Sequence, residues 1–583
     1  IADIKLEFDQ KGNIKDNYYL KGFIKDTKIN FLKKHKFEKV NFIFYHNQKE
    51  TNLEKIQLSY NRLDLFFEKI SIKNDKTDFL INGELKNKNL SLNNEIIKQF
   101  FNSDNYEVKE VNFDSRNIFS FKIDKKFRLK DLAINSKAKI NKLVITNNYE
   151  LKEIFPDAKS EINFNNHIIE INYDKKIFDI NGSGNILLQN SNDKLDYIIR
   201  KDKGGIKFDT IIEVKKNPLS INFLNFKKET KDEAKISFKG EINEKNIKIE
   251  KILFKNGKNK IELDNILLNK DLKVLNLLKA KFDYFDNENI KNYFQISNKD
   301  KSYSLEGSLL NANSFIENLL SNDDDNSFPF KNRFNLNVNL EQVRLDEEFT
   351  INNFKGILTF KENTFAQANL GGSFNNEKKI KITINSTDNE KITTLFSDYA
   401  KPFVKRYKFI KGFDGGSIDF HSSKINTKTT SSIKIYDFKL NELPALTKLL
   451  TLASLQGIAD LLTGEGIRFK EFEMNFNSKG SLMTIDEIYA IGPAISILMD
   501  GYIEKKQLIS LRGTLVPATT LNKVIGSIPF LGDILVGSKT GEGVFGVSFK
   551  IKGPPKKLET SVNPIKSLTP RFITRTLEKI KKN

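Results

Sequence analysis

Strict alternation of apolar and polar residues is the feature that most limits what this chain can fold into. Phe334, Leu336, Val338 and Leu340 alternate with Asn335, Asn337, Asn339 and Glu341. Ile380, Ile382 and Ile384 do the same between Lys379, Lys381, Thr383 and Asn385, as do Phe472, Met474 and Phe476, and then Phe545, Val547, Phe549 and Ile551. Successive side chains of a strand point to opposite faces, so this period gives every strand one dry face and one wet face. Half-buried antiparallel strands have this character, whereas doubly covered parallel strands are apolar throughout.

A second pattern rides on the first. The motif apolar-x-Gly-x-apolar recurs at Leu20 to Ile24, Ile81 to Leu85, Phe238 to Ile242, Leu305 to Leu309, Phe354 to Leu358, Leu370 to Phe374, Met499 to Ile503 and Leu511 to Leu515. Period two sets each glycine on the apolar face, where a missing side chain lets a sheet bend or bulge. Turn signals such as Asn256-Gly257, Asn375-Asn376 and Asp414-Gly415-Gly416 separate strands at intervals of about 8 to 14 residues, the spacing of an up-and-down meander. The expected fold is therefore mainly β: a long curled antiparallel sheet open on one side, like a taco, with a few short helices near the C-terminal end. Helical spacing is confined to Leu395 to Tyr407, Leu446 to Leu462, Leu521 to Val536 and Pro570 to Lys582. Residues 1–440 carry no linker or change of composition and are expected to form one elongated β body, followed by a C-terminal region over 441–583. Asn322 to Asn326 is expected as an acidic surface loop without calcium-loop spacing.

Catalytic chemistry has a sparse inventory. There is no cysteine, and the four histidines, His35, His46, His167 and His421, stand far apart without metal-ligand spacing. Gly537-Ser538-Lys539-Thr540-Gly541 lacks the order of a phosphate loop and is expected as a hairpin loop. Gly182-Ser183-Gly184 sits inside a strand pattern, with none of the strand-to-helix elbow of a nucleophilic serine. The expectation is a protein that is not an enzyme, with no cofactor and no metal. Lys and Arg total 95 against 75 Asp and Glu, a net charge of +20. Lysine alternates with Asn, Asp and Glu along the whole chain, so this excess reads as a compositional bias and not as a nucleic-acid footprint. Only Arg571 to Lys582 is locally basic. No window of about 18 uninterrupted apolar residues is present.

The last part of the chain carries a resemblance. Leu449-Leu450-Thr451-Leu452-Ala453-Ser454-Leu455 and Leu461-Leu462-Thr463-Gly464-Glu465-Gly466-Ile467 are followed in order by Ile491-Gly492-Pro493-Ala494, Leu511-Arg512-Gly513-Thr514-Leu515-Val516-Pro517 and Ile528-Pro529-Phe530-Leu531-Gly532. Gly541-Glu542-Gly543-Val544-Phe545, Val547 to Pro554 and Ser561-Val562-Asn563-Pro564 complete the series. This succession over residues 443 to 575 resembles the C-terminal region of YhdP-type AsmA-like proteins in their alphaproteobacterial form. The resemblance implies a bridge-like lipid-transfer protein, periplasmic and held in the inner membrane by an anchor upstream of this chain. Phospholipid would be its cargo, moving between inner and outer membranes with a possible outer-membrane partner. A TamB-like role in envelope assembly and a structural or adhesive β-protein with a sealed core are the alternatives. In the conduit reading the groove is lined by Phe334, Leu336, Val338, Leu340, Ile380, Ile382, Ile384, Phe472, Met474, Phe476, Phe545, Val547 and Phe549.

Overall fold

The computed structural model describes residues 2–563 except 32–34, 76, 95–96, 98–106, 147–150, 300–301, 314–315, 317–332, 362–363, 388, 407–410, 443–465, 494, 505–506, 518–546 and 556. Of the described residues 76% are strand and 3% helix, in curled, antiparallel-dominated sheet that does not close into a barrel. The chain divides into two units, Ile1–Asn292 and Tyr293–Asn583.

In the first unit each strand from Ala2–Lys5 to Gly205–Val214 is antiparallel to its predecessor, and the order then continues through Ala234–Ile242 to Val274–Phe285. The segment between Val214 and Ala234 leaves the meander. It carries a small hairpin of Leu219–Ile221 with Phe226–Lys228, which lays its apolar side chains on the margin of the sheet. Phe226 meets Phe254 edge-on at 5.3 Å and Tyr284 at 6.2 Å, and Leu219, Val214 and Ala234 are buried around it. Lys228 pins this connection, its buried Nζ donating to the backbone oxygens of Lys215, Asn217 and Glu229 at 3.0, 2.8 and 3.0 Å. A buried ammonium is tolerated only when its donors are satisfied in this way.

The second unit begins within the strand Lys291–Lys299, at Tyr293, and its last described strand is Glu559–Asn563. One join departs from the expected meander: Ser302–Asn311 and Phe334–Arg344 are parallel. Parallel neighbours need a crossover of a dozen residues or more, and residues 312–333 supply it. The acidic segment Asn322 to Asn326 lies in that crossover, outside the described residues. Strands on both sides of residue 441 belong to this unit, because Lys428–Glu442 pairs with Ile467–Lys479.

Two local expectations are corrected. Leu395 to Tyr407 is not one amphipathic helix. Lys391–Ser397 is a strand, with Leu395 set between Ile382 and Phe420, and among the described residues of the stretch only Lys401–Val404 is helical, opened by Pro402 in its first turn. Asp414-Gly415-Gly416 is no chain reversal but an irregularity inside Lys411–Ile425, where Gly415 and Gly416 take φ of 75° and 74° opposite Asp437 at 50°. The turns at Asn256-Gly257 and Asn375-Asn376 fall between strands as expected. The helical expectations at Leu446 to Leu462, Leu521 to Val536 and Pro570 to Lys582, and the loop Gly537 to Gly541, lie outside the described residues.

Candidate functional site: an apolar sheet face

Residues directly opposite each other in paired strands share a face, so the register shows which side chains stand together. One row crosses the second unit from Ile296 and Leu305 through Val338, Gly356, Leu370, Ile382, Leu395 and Phe420. It continues through Ile433, Met474, Ile488, Met499, Gly513 and Phe549 to Val562. No polar side chain interrupts it. Four of the residues singled out from sequence, Val338, Ile382, Met474 and Phe549, therefore stand in a single line although they are far apart in the chain.

The neighbouring rows place the others. Leu336 is followed by Leu358, Ala368 and Ile384, then by the hydroxyl residues Thr393, Ser422 and Ser431, and beyond them by Phe476 and Ile485. Phe334 faces Phe360 at 4.7 Å with stacked rings. On the other side of the central row stand Ile380, the buried Ser397, Ile418, Ile435, Phe472, Ala490, Ile497, Leu515 and Val547, and Leu340 opposes Phe354. Phe545 lies outside the described residues. Val338, Leu340, Ile380, Phe476 and Phe549 are buried, whereas Phe334, Leu336, Ile382, Ile384, Phe472, Met474 and Val547 are half-buried. Leu370, Leu395, Phe420, Ile433, Ile488 and Met499 belong to the same row and were not singled out; Leu395 was hidden by the threonines beside it, which blur the alternation.

Glycines in the row have a structural cause. Gly356 adopts φ of 148°, and a Cβ there would lie 1.9 Å from the carbonyl oxygen of Asn369. A Cβ on Gly513 would sit 2.5 Å from the carbonyl oxygen of Leu498, 2.6 Å from Met499 Cγ and 2.8 Å from the ring of Phe549, so only glycine fits between these neighbours. The opposite face is polar, with Lys434 and Glu473 paired at 3.4 Å and Arg512 and Asp500 at 2.8 Å.

One margin of the apolar face is covered by the chain itself. The helical turn Lys401–Val404 sets Ala400, Phe403 and Val404 into a cluster with Phe413, Phe438, Phe469 and Ile495. Phe413, Phe438 and Phe469 stack in sequence at 5.1 and 5.2 Å. The opposite margin ends in Lys391 and Lys424, which are directly paired.

In the first unit one row of the apolar face is broken by polar groups, while the neighbouring row crosses the same strands through Gly83, Phe119 and Ile134. The row Ile56, Phe67, Leu85 passes through Asn117 and Ser136 before resuming at Ile171, Ile180, Ile199, Phe208, Gly240, Ile249, Ile266 and Leu277. Ser136 Oγ donates to Asn117 Oδ1 at 2.5 Å, and Asn117 Nδ2 donates to Ser115 Oγ at 3.0 Å. His167 is 1% exposed, stacked on Tyr197 at 5.5 Å, and neither ring nitrogen has a well-formed hydrogen bond. Burial holds its pKa below the ordinary value, opposed in part by the Asn185 backbone and Asp196.

Among the described residues no group of three or more His, Asp or Glu is placed to hold a metal ion, and no helix is long and apolar enough to cross a membrane. Of the segments that carry the AsmA-like resemblance, Leu511 to Val516 and Val547 to Gly553 are paired strands. Those at Leu449 to Leu455, Ile528 to Gly532 and Gly541 to Phe545 lie outside the described residues. Comparison with known proteins finds no family model that matches the chain and no curated protein that matches it in sequence.

Proposed function

We propose that the chain is a non-enzymatic carrier of phospholipid, whose apolar sheet face shields acyl chains as they move between the inner and outer membranes of a cell envelope. The observation that carries this reading is the unbroken apolar row from Ile296 to Val562, most of whose side chains are half-buried. A sheet with one dry face has to cover it, and a diacyl lipid has the matching need. It exposes about 30 methylenes, and at ~0.8 kcal/mol each their exposure to water costs on the order of 20 kcal/mol. An apolar track removes most of that barrier. A polar or charged group unpaired on the track would restore several kcal/mol of it.

The envelope setting rests on the AsmA-like resemblance: a periplasmic body, an anchor in the inner membrane upstream of this chain, and an outer-membrane partner. The reading involves no nucleic acid, cofactor or metal. Photo-reactive residues in cells test it. Placed at Leu336, Ile382 or Met474 they are expected to capture phospholipid, and at the outward Asn337 or Lys381 they are not. Capture from the outward positions alone would overturn the assignment of the face. Absence of lipid from the extracted protein, measured by mass spectrometry, would favour a structural β-protein with a sealed core.

A further inference from the structure

We propose that Lys391 and Lys424 form the seat of an anionic phospholipid headgroup at the margin of the second unit's apolar face opposite the helical turn; this rests on the lipid-carrier reading and adds a headgroup preference to it. The two lysines are directly opposite in register. Like charges so placed repel, and a sheet ordinarily opposes a carboxylate to such a lysine. Elsewhere Lys434 has Glu473 opposite it, and the directly opposed cations Lys239 and Lys251 each have a carboxylate beside them, Glu250 and Glu262. Among the described residues neither Lys391 nor Lys424 has a carboxylate partner. The nearby Glu390 is engaged instead by the Ser423 hydroxyl. Lys391 is half-buried, and burial together with the charge of Lys424 disfavours its ammonium form. An uncompensated pair of cations at the polar margin of an apolar face is complementary to an anion.

Inward from the pair, the strands have the profile of a lipid. The next positions on the same face are Thr393, Ser422 and Ser431, and Ser431 Oγ donates to Ser422 Oγ at 3.0 Å. Beyond them stand Leu395, Phe420 and Ile433 of the apolar row. Same-face positions are about 6.8 Å apart along a strand. Cationic, hydroxyl and apolar levels thus succeed one another over roughly 14 Å, the order of phosphate, glycerol ester and acyl chain.

Full-length protein stripped of lipid is incubated with equimolar phosphatidylglycerol–phosphatidylcholine vesicles, re-isolated, and its retained lipid measured by mass spectrometry. Wild type is expected to retain phosphatidylglycerol over phosphatidylcholine by about fivefold or more, since each basic residue beside an anionic headgroup contributes modestly. Lys391→Gln/Lys424→Gln should bring the ratio near one while total lipid is unchanged. Lys391→Arg/Lys424→Arg and the outward Lys434→Gln should keep the preference. A preference that survives the double Gln change, is lost in the Arg variant, or is absent from wild type overturns the headgroup seat and leaves the carrier reading standing. Erasure of the preference by millimolar inorganic phosphate would assign the pair to a free anion and overturn it as well. Retention of neither lipid by wild type would overturn the carrier reading, and the seat with it.

Discussion

The two units build the same kind of sheet and treat its dry face differently. In the second, one apolar row crosses from Ile296 to Val562, and the hydroxyl residues Thr393, Ser422 and Ser431 are gathered towards the lysine margin. In the first, the comparable row is interrupted in mid-face by Asn117 and Ser136, and His167 is buried nearer the covered margin. Both have one margin covered by their own chain, by the hairpin around Phe226 in the first and by the turn Lys401–Val404 in the second. Alternation alone therefore does not make a track. What matters for a sliding acyl chain is whether apolar positions from successive strands fall into one register.

Ile382→Asp should disturb that register most. It puts a carboxylate into the unbroken row at a half-buried position, and lipid retention should be lost while the strand signal in circular dichroism persists. Thr383→Asp, on the opposite face, should leave retention intact. Unfolding of the Ile382→Asp protein would show that the row is a sealed core.

Ile495→Ala tests the covered margin. Ile495 is fully buried in the cluster with Phe469 and Ala400, so truncation should cost about 2–5 kcal/mol in denaturant unfolding. A cost of that size with unchanged lipid retention would separate the margin's structural role from the track's.

The buried histidine gives the first unit a pH response. Its folded pKa lies below the ordinary value, so protonation favours the unfolded chain. Its contribution is fully present above about pH 6.5 and is lost as pH falls through that value towards the folded pKa. The denaturation midpoint should drop between about pH 7.5 and pH 5.5. His167→Phe should flatten that slope, and a slope unchanged in the variant would place its origin elsewhere.

A milder change makes the first unit resemble the second. Asn117→Leu with Ser136→Ala replaces both partners of the mid-face hydrogen bond, and stability should change by about 1 kcal/mol or less. The interruption is then apolar, and lipid retained per protein should rise. No rise would show that the polar groups do not limit occupancy.

Much of this was legible in the chain. Ile380, Ile382 and Ile384 announce both a strand and its dry side, because a two-residue period has one physical reading. The glycines of motifs such as Phe354 to Leu358 and Leu511 to Leu515 also fall on the apolar face, though the local cause at Gly513 is the close approach of the Leu498 carbonyl, Met499 and the Phe549 ring and not curvature alone. Other features were hidden. Gly415 and Gly416 have the composition of a turn, yet Gly415 pairs with Phe438 and the residue after them, Ser417, with Tyr436. Leu395 satisfied a helical spacing until its partners on both sides drew it into sheet.

The order of residues is enough to set which side of each strand is dry, since that depends only on neighbours two positions apart. Which dry residues line up is a matter of the folded chain. Cross-strand register depends on loop lengths, bulges and the parallel join of Ser302–Asn311 with Phe334–Arg344, none of which is a local property. For the same reason the facing of Lys391 and Lys424 could not be read from the chain. They are separated by a turn of helix, the glycine irregularity and most of two strands, and only the hydrogen-bonded ladder sets them opposite each other.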